Sequence, residues 1–195
     1  CGGEALPREL ANRILNRAGT LWNVYGPTET TIWSTAAKIE RGESEITIGR
    51  PLANTELFIL DDALQPVPMG LSGELYIGGA GVARGYWNRP ELTAERFISH
   101  PFNTVSGGRL YKTGDLVRYS PEGMVVHLGR LDHQVKIRGY RVEVGEIEQW
   151  LQTHSCVRQA IVSARCDNAG LQQLVAYIVP VDGQNIPASE LRAFL

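Results

Sequence analysis

"GRLDHQVKIRGYRVEVGEIE", residues 129–148, is where the pattern of the chain changes. Residues 135–142 read as a strand. A helix over 145–152 follows, with Glu143, Glu146 and Glu148 at its start, where carboxylates oppose the positive end of the helix dipole. Two further strands, 157–164 and 174–181, and a helix opening at Pro187 complete an α+β pattern with its own apolar set. Before this stretch the chain is written differently. Residues 20–130 are mainly short strands (21–25, 31–39, 46–48, 55–60, the alternating "SGELYIGG" at 72–79, and a hairpin of 110–119 with 124–128) joined by Gly-rich turns. A helix from Pro7 to the Gly19 stop precedes them, and one over 90–98 with Pro90 at its first turn interrupts them. The expectation is an α+β chain. A β-rich body with a barrel or curled sheet occupies 1–131, and a small α+β body occupies 132–195. Gly129-Arg130-Leu131-Asp132 serves as a tight hinge between them.

Bulk properties narrow the function. Nineteen basic against twenty-one acidic residues leave a net charge of -2, which gives no electrostatic case for nucleic acid or an anionic membrane. No apolar run approaches the roughly 20 residues of a membrane span. Cys1, Cys156 and Cys166 have no CxxC spacing, which argues against a disulfide framework or a thiolate zinc site and fits a reducing cytoplasm. His100, His127, His133 and His154 are scattered, and the His154–Cys156 pair falls short of the three or four ligands a site needs. The chain opens on Cys1 rather than Met and runs almost directly into a helix signal, so it reads as cut from something longer. A lipoprotein also begins on Cys, but with a flexible polar tether.

Three motifs carry chemistry. In "NVYGPTETTIW", residues 23–33, a short apolar run ends on Gly26-Pro27, a breaker that lets backbone approach a ligand. Tyr25 offers a face for a stacked base, and Glu29 a hard oxygen for Mg²⁺. The same residues also suit an ordinary surface turn with a capping Thr. In "YKTGD", Asp115 can accept two hydrogen bonds from a vicinal diol, or be an exposed loop acid. Arg130 can aim its planar fork at ribose or phosphate oxygens, or simply be a surface cation. Lys136, Arg138 and Arg141 crowd one strand, which alone reads as a charge-guarded edge.

Taken in order, "NVYGPTE", "GELYIGGAGVARGYWNRPELTAERF", "RLYKTGDLVRY" and "GRLDHQVKIRGYRVEVGEIE" closely resemble four successive blocks of the adenylate-forming enzymes, and most closely the adenylation domains of non-ribosomal peptide synthetases. The resemblance implies formation of an aminoacyl adenylate from an amino acid and Mg-ATP, then transfer to the phosphopantetheine thiol of a peptidyl carrier protein. It implies that Asn23 bonds the adenine amino group, Tyr25 stacks on its ring with Gly26 beside it, and Thr28 touches the α-phosphate. Glu29 would ligate Mg²⁺, Asp115 and Arg130 would hold the ribose, Asp132 would be the hinge, and Gly139 would line the pantetheine tunnel. His127 stands where relatives often carry an aromatic, and its role is left open.

By the same resemblance Cys1, Val24, Ile32 and Trp33 line the side-chain pocket. The bulk of Trp33 favours a small substrate such as Gly or Cys. Neighbouring synthetase domains are implied partners, and a small accessory protein is left open. The resemblance makes 1–131 the C-terminal part of the large, nucleotide-binding subdomain, including a distorted β-barrel, and 132–195 the hinge and an incomplete small C-terminal subdomain. The family's phosphate loop would precede residue 1 and its catalytic Lys would follow Leu195, so the chain alone is expected to be inactive. Two rival readings remain at this stage: an acyl- or aryl-CoA ligase of the same superfamily, and a non-catalytic β-rich interaction module.

Overall fold

The computed structural model describes residues 1–42, 45–102, 107–132, 134–137, 139–166, 172–182 and 186–195. The chain divides into two compact units, Cys1–Asp132 and His133–Leu195. The α+β composition expected from the sequence is the one observed.

In the first unit, helix α1 (Arg8–Leu15) starts after Pro7, whose fixed φ of -66° suits the cap. It buries Ala11 and Leu15 against Leu21, Ala37 and Ile39. Strands β1 (Trp22–Tyr25), β2 (Thr35–Lys38) and β3 (Arg50–Pro51) form one antiparallel sheet in that order. A second sheet runs β4 (Thr55–Leu60), β5 (Ser72–Gly79), β7 (Arg109–Tyr119), β6 (Phe97–Ser99), with β8 (Val125–Arg130) also paired to β7. The long strand β7 thus carries β5 along one edge, and β6 and then β8 along the other. A Gly49–Val125 bridge and the bond from Ile48 N–H to the Val125 carbonyl link the two sheets. Tyr25, Ile48, Ile59, Leu75, Ile77, Val117 and Val125, drawn from both sheets, make one core.

Four sequence expectations are corrected here, the first being the strand expected at 46–48, which is displaced to β3 at Arg50–Pro51. Residues 31–39 are not one extended run: Thr31 and Ile32 take left-handed φ values of 65° and 71°, and β2 begins only at Thr35. The helix from Pro90, α2 (Pro90–Arg96), ends before 98 because Phe97 turns into β6, burying its ring against Tyr111 at a centroid distance of 5.1 Å. The strand read over 135–142 is two strands, β9 (Val135–Ile137) and β10 (Tyr140–Val142), paired antiparallel. Gly139, at φ 80°, supplies the left-handed turn that side-chain alternation could not reveal.

The second unit continues with α3 (Val144–Gln152), the β11 (Val157–Cys166) and β12 (Gln172–Pro180) ribbon, and α4 (Ala188–Phe194) capped by Pro187. Its core is Val144, Leu151, Val157, Ala160 and Val162, with Ile147, Leu174, Ile178 and Leu191 packed against it. Arg138 and His133 lie outside the described residues.

Candidate functional site

Asn23 and Tyr25 are two apart on β1, so alternation sends both to one face, where both are buried. Asn23 Nδ2 donates 2.8 Å to the Thr47 carbonyl. Tyr25 reaches across 90 positions of sequence, and its phenol donates a short hydrogen bond to Asp115 Oδ2. Tyr25 as a whole keeps 9% of its surface.

Asp115 is the centre of the arrangement. Its N–H bonds Thr113 Oγ1 at 3.0 Å, and that hydroxyl donates 2.7 Å to the Leu75 carbonyl of the neighbouring strand. Arg130 Nη1 and His127 Nε2 both lie 3.0 Å from Asp115 Oδ1. A regular strand would put residues 127 and 130 on opposite faces. The register of β7 with β8 shifts between Leu116 and Val117, an irregularity that turns both side chains to the face of Asp115. Burial alone would raise the Asp115 pKa, but the His127 bond, the Arg130 charge and the Tyr25 phenol together hold it below the ordinary carboxylate value. Burial first, then the charge and bond of Asp115, push the Tyr25 phenol well up, so it stays a donor.

Arg130 spans two acids. Besides Asp115 it grips Asp132 with Nε to Oδ1 at 2.6 Å and Nη2 to Oδ2 at 2.7 Å, a bidentate fork. Nη2 also bonds the Thr113 carbonyl at 3.0 Å. The residue expected to hold ribose and the residue expected to be the hinge thus share one guanidinium.

Thr28 and Glu29 sit in a single 3-10 turn, Thr28–Thr30. Thr28 is exposed and Glu29 buried, its Oε1 accepting 2.6 Å from the phenol of Tyr86. Gly26 is required by packing, since a Cβ there would stand 2.4 Å from the Ile32 carbonyl oxygen. Of the expected pocket residues, Cys1 lies beside β1, its carbonyl accepting 2.8 Å from Val24 N–H. Ile32 and Trp33 follow in the turn against Gly26, both more than half exposed. Gly139 belongs to the other unit. A cavity of about 270 Å³, lined by Glu56, Gly79, Val82, His100 and Arg109 among others, contains none of these residues.

Tyr86 and Thr113 escaped the reading of the sequence. Both lie inside recognised blocks, but their partners stand 57 and 38 positions away, and no local pattern reports such distances.

Known proteins are similar to this chain over all or most of its length. Residues 1–87 match the model of the AMP-binding enzyme family. Over 194 residues the chain is 54% identical to a linear gramicidin synthase of Brevibacillus parabrevis, a match covering 100% of this chain and 4% of that protein. A crystal structure of a four-domain nonribosomal peptide synthetase in its holo form, bound to AMP and glycine, is 48% identical. It overlays with a TM-score of 0.64, covering 97% of this chain and 14% of that one. A synthetase containing adenylation and carrier domains, bound to a vinylsulfonamide inhibitor, overlays with a TM-score of 0.84 at 31% identity, over 93% of this chain and 32% of its own. The chain therefore spans a small part of each relative's length. On these matches and this fold, it belongs to the AMP-binding enzymes, as part of an adenylation domain of the non-ribosomal peptide synthetase kind.

Proposed function

We propose that this chain forms one wall of an adenylation site, where an amino acid and ATP give an aminoacyl adenylate and pyrophosphate before transfer to a carrier protein in the cytoplasm. The observation that carries this reading is the meeting of Tyr25, Asp115 and Arg130 at one point. Tyr25 and Asn23 line the base. Asp115 and Arg130, fixed by each other, receive the ribose hydroxyls, the carboxylate accepting and the guanidinium donating. The exposed hydroxyl of Thr28 would touch the α-phosphate.

Mg²⁺, held by Glu29, would neutralise phosphate charge. Among the described residues no three acidic, His or Cys groups form a metal cluster. That suits an ion which takes one or two carboxylates and completes its shell with water and phosphate oxygens. Phosphopantetheine would supply the accepting thiol, with Gly139 beside it. Cys1, Val24, Ile32 and Trp33 would select a small side chain, Gly or Cys. The synthetase that binds AMP and glycine supports that choice by likeness only.

The decisive experiment is ATP–pyrophosphate exchange by the complete domain carrying this chain: Asp115→Ala should abolish it, and undiminished exchange would overturn the reading. For the chain by itself, base stacking of about 1–3 kcal/mol and one or two charged hydrogen bonds of about 1.5–3 each compete with an association cost of about 4–15. Calorimetry should accordingly find ATP affinity no tighter than millimolar. A preference for a large aromatic amino acid would refute the small-substrate assignment.

A further inference from the structure

The second sequence block, "GELYIGGAGVARGYWNRPELTAERF", has no part in the chemistry above, yet its loop lies directly on the turn that carries Glu29. Ala83 N–H donates 2.8 Å to the Glu29 carbonyl, and Thr31 Oγ1 donates 2.7 Å to the Gly81 carbonyl. A Cβ on Gly81 would come within 2.8 Å of the Thr30 carbonyl oxygen, so the two backbones touch. The loop is itself pinned from behind. Arg109 of β7 donates to the carbonyls of Ala83 and Arg84 at 2.9 and 2.7 Å. Tyr86 N–H bonds Thr93 Oγ1 of α2 at 2.9 Å, and the Tyr86 ring meets Phe97 edge-on at 5.4 Å.

We propose that Tyr86 is the positioning residue for the metal-binding carboxylate: its phenol donates 2.6 Å to Glu29 Oε1 and fixes the plane in which that group meets the cation. The inference rests on the reading of Glu29 as the Mg²⁺ ligand. The terminal torsion of a glutamate is broad and roughly two-fold, so the backbone of a short turn cannot orient its oxygens. An O–H···O⁻ bond of this length is among the stronger ones and sets that torsion. Its anchor, through Thr93 and Phe97, is a helix and a strand rather than the turn itself. Hydrogen-bond partners that orient metal-ligating carboxylates typically contribute 10–100-fold in metal affinity.

The test is Tyr86→Phe in the complete adenylation domain, which keeps the ring on Phe97 and removes only the donor. Mn²⁺ affinity in the presence of a non-hydrolysable ATP analogue, read by water-proton relaxation, should weaken about 10-fold or more. The apparent KM for Mg²⁺ in pyrophosphate exchange should rise by a similar factor, while exchange at saturating Mg²⁺ and the KM for the amino acid change little. Unchanged Mn²⁺ affinity beside a Glu29→Gln control that loses it would overturn the role of Tyr86. A Glu29→Gln domain that still binds Mn²⁺ normally would instead overturn the assignment of Glu29. Should Tyr86→Phe fail to fold, Thr93→Val, which frees the loop but keeps the phenol, decides by the same measurement: a several-fold loss supports the role and none refutes it.

Discussion

Two stretches dense in recognisable motif behave in opposite ways. Around Asp115 the motif residues are buried or half-buried and tied to partners 12, 15 and 90 positions away. In the β9–β10 ribbon of the small unit, Tyr140 is 75% exposed and Arg141 is exposed as well. The first stretch is assembled by folding, its charges paired with one another. The second is a solvent-facing ribbon. Signature residues therefore need not be alike energetically: some hold the fold together and others cost it almost nothing.

That contrast can be broken most forcefully at Asp115. Asp115→Ala leaves the Tyr25 phenol and the Arg130 guanidinium without their shared acceptor in a buried setting, and should cost about 3–5 kcal/mol of stability in urea unfolding. The dependence on pH follows from the depressed pKa of Asp115. A lowered folded-state value means that its stabilisation is fully present above the unfolded value of about 3.9 and is lost as pH falls through the folded one. The gap between wild type and Asp115→Asn should accordingly be constant near neutrality and close in acid; a gap that widens on acidification would contradict the ion-pair account.

Next in size is Leu151→Ala, which should destabilise the small unit by about 2–5 kcal/mol, since Leu151 is 1% exposed in its core. Hydrogen exchange would locate that loss within His133–Leu195. Tyr25→Phe removes one donor to a charged acceptor and should cost about 1.5–3 kcal/mol by the same urea assay. It should also weaken ATP use by the complete domain. Smallest of all, Tyr140→Ala should leave the unfolding free energy within about 0.5 kcal/mol of wild type. A large stability loss there would erase the distinction between the two stretches.

Much of the architecture was legible in residue patterns. Alternation in "SGELYIGG" marked β5 over the residues observed, and Pro90 opened α2 as expected. Two of the misjudged places share one cause. Thr31 and Ile32 look like strand residues by type, yet tertiary packing holds them in left-handed conformations that cost about 1–3 kcal/mol each. Phe97 looks helical by spacing but is claimed by a sheet and an aromatic neighbour. Within the candidate site, Tyr25, Glu29, Asp115 and Arg130 could be nominated from their blocks. The bonds from His127 and Tyr86 could not.

The sequence by itself determined the α+β class, the order of the blocks and the residues worth suspecting, because propensity, turn chemistry and side-chain alternation act over a few neighbouring positions. Only the tertiary structure decided that His127 and Arg130 face the same carboxylate, that one guanidinium joins Asp115 to Asp132, and that Tyr86 reaches Glu29. Those outcomes depend on how strands register against one another, and a single irregularity in a ladder reverses which face a side chain takes.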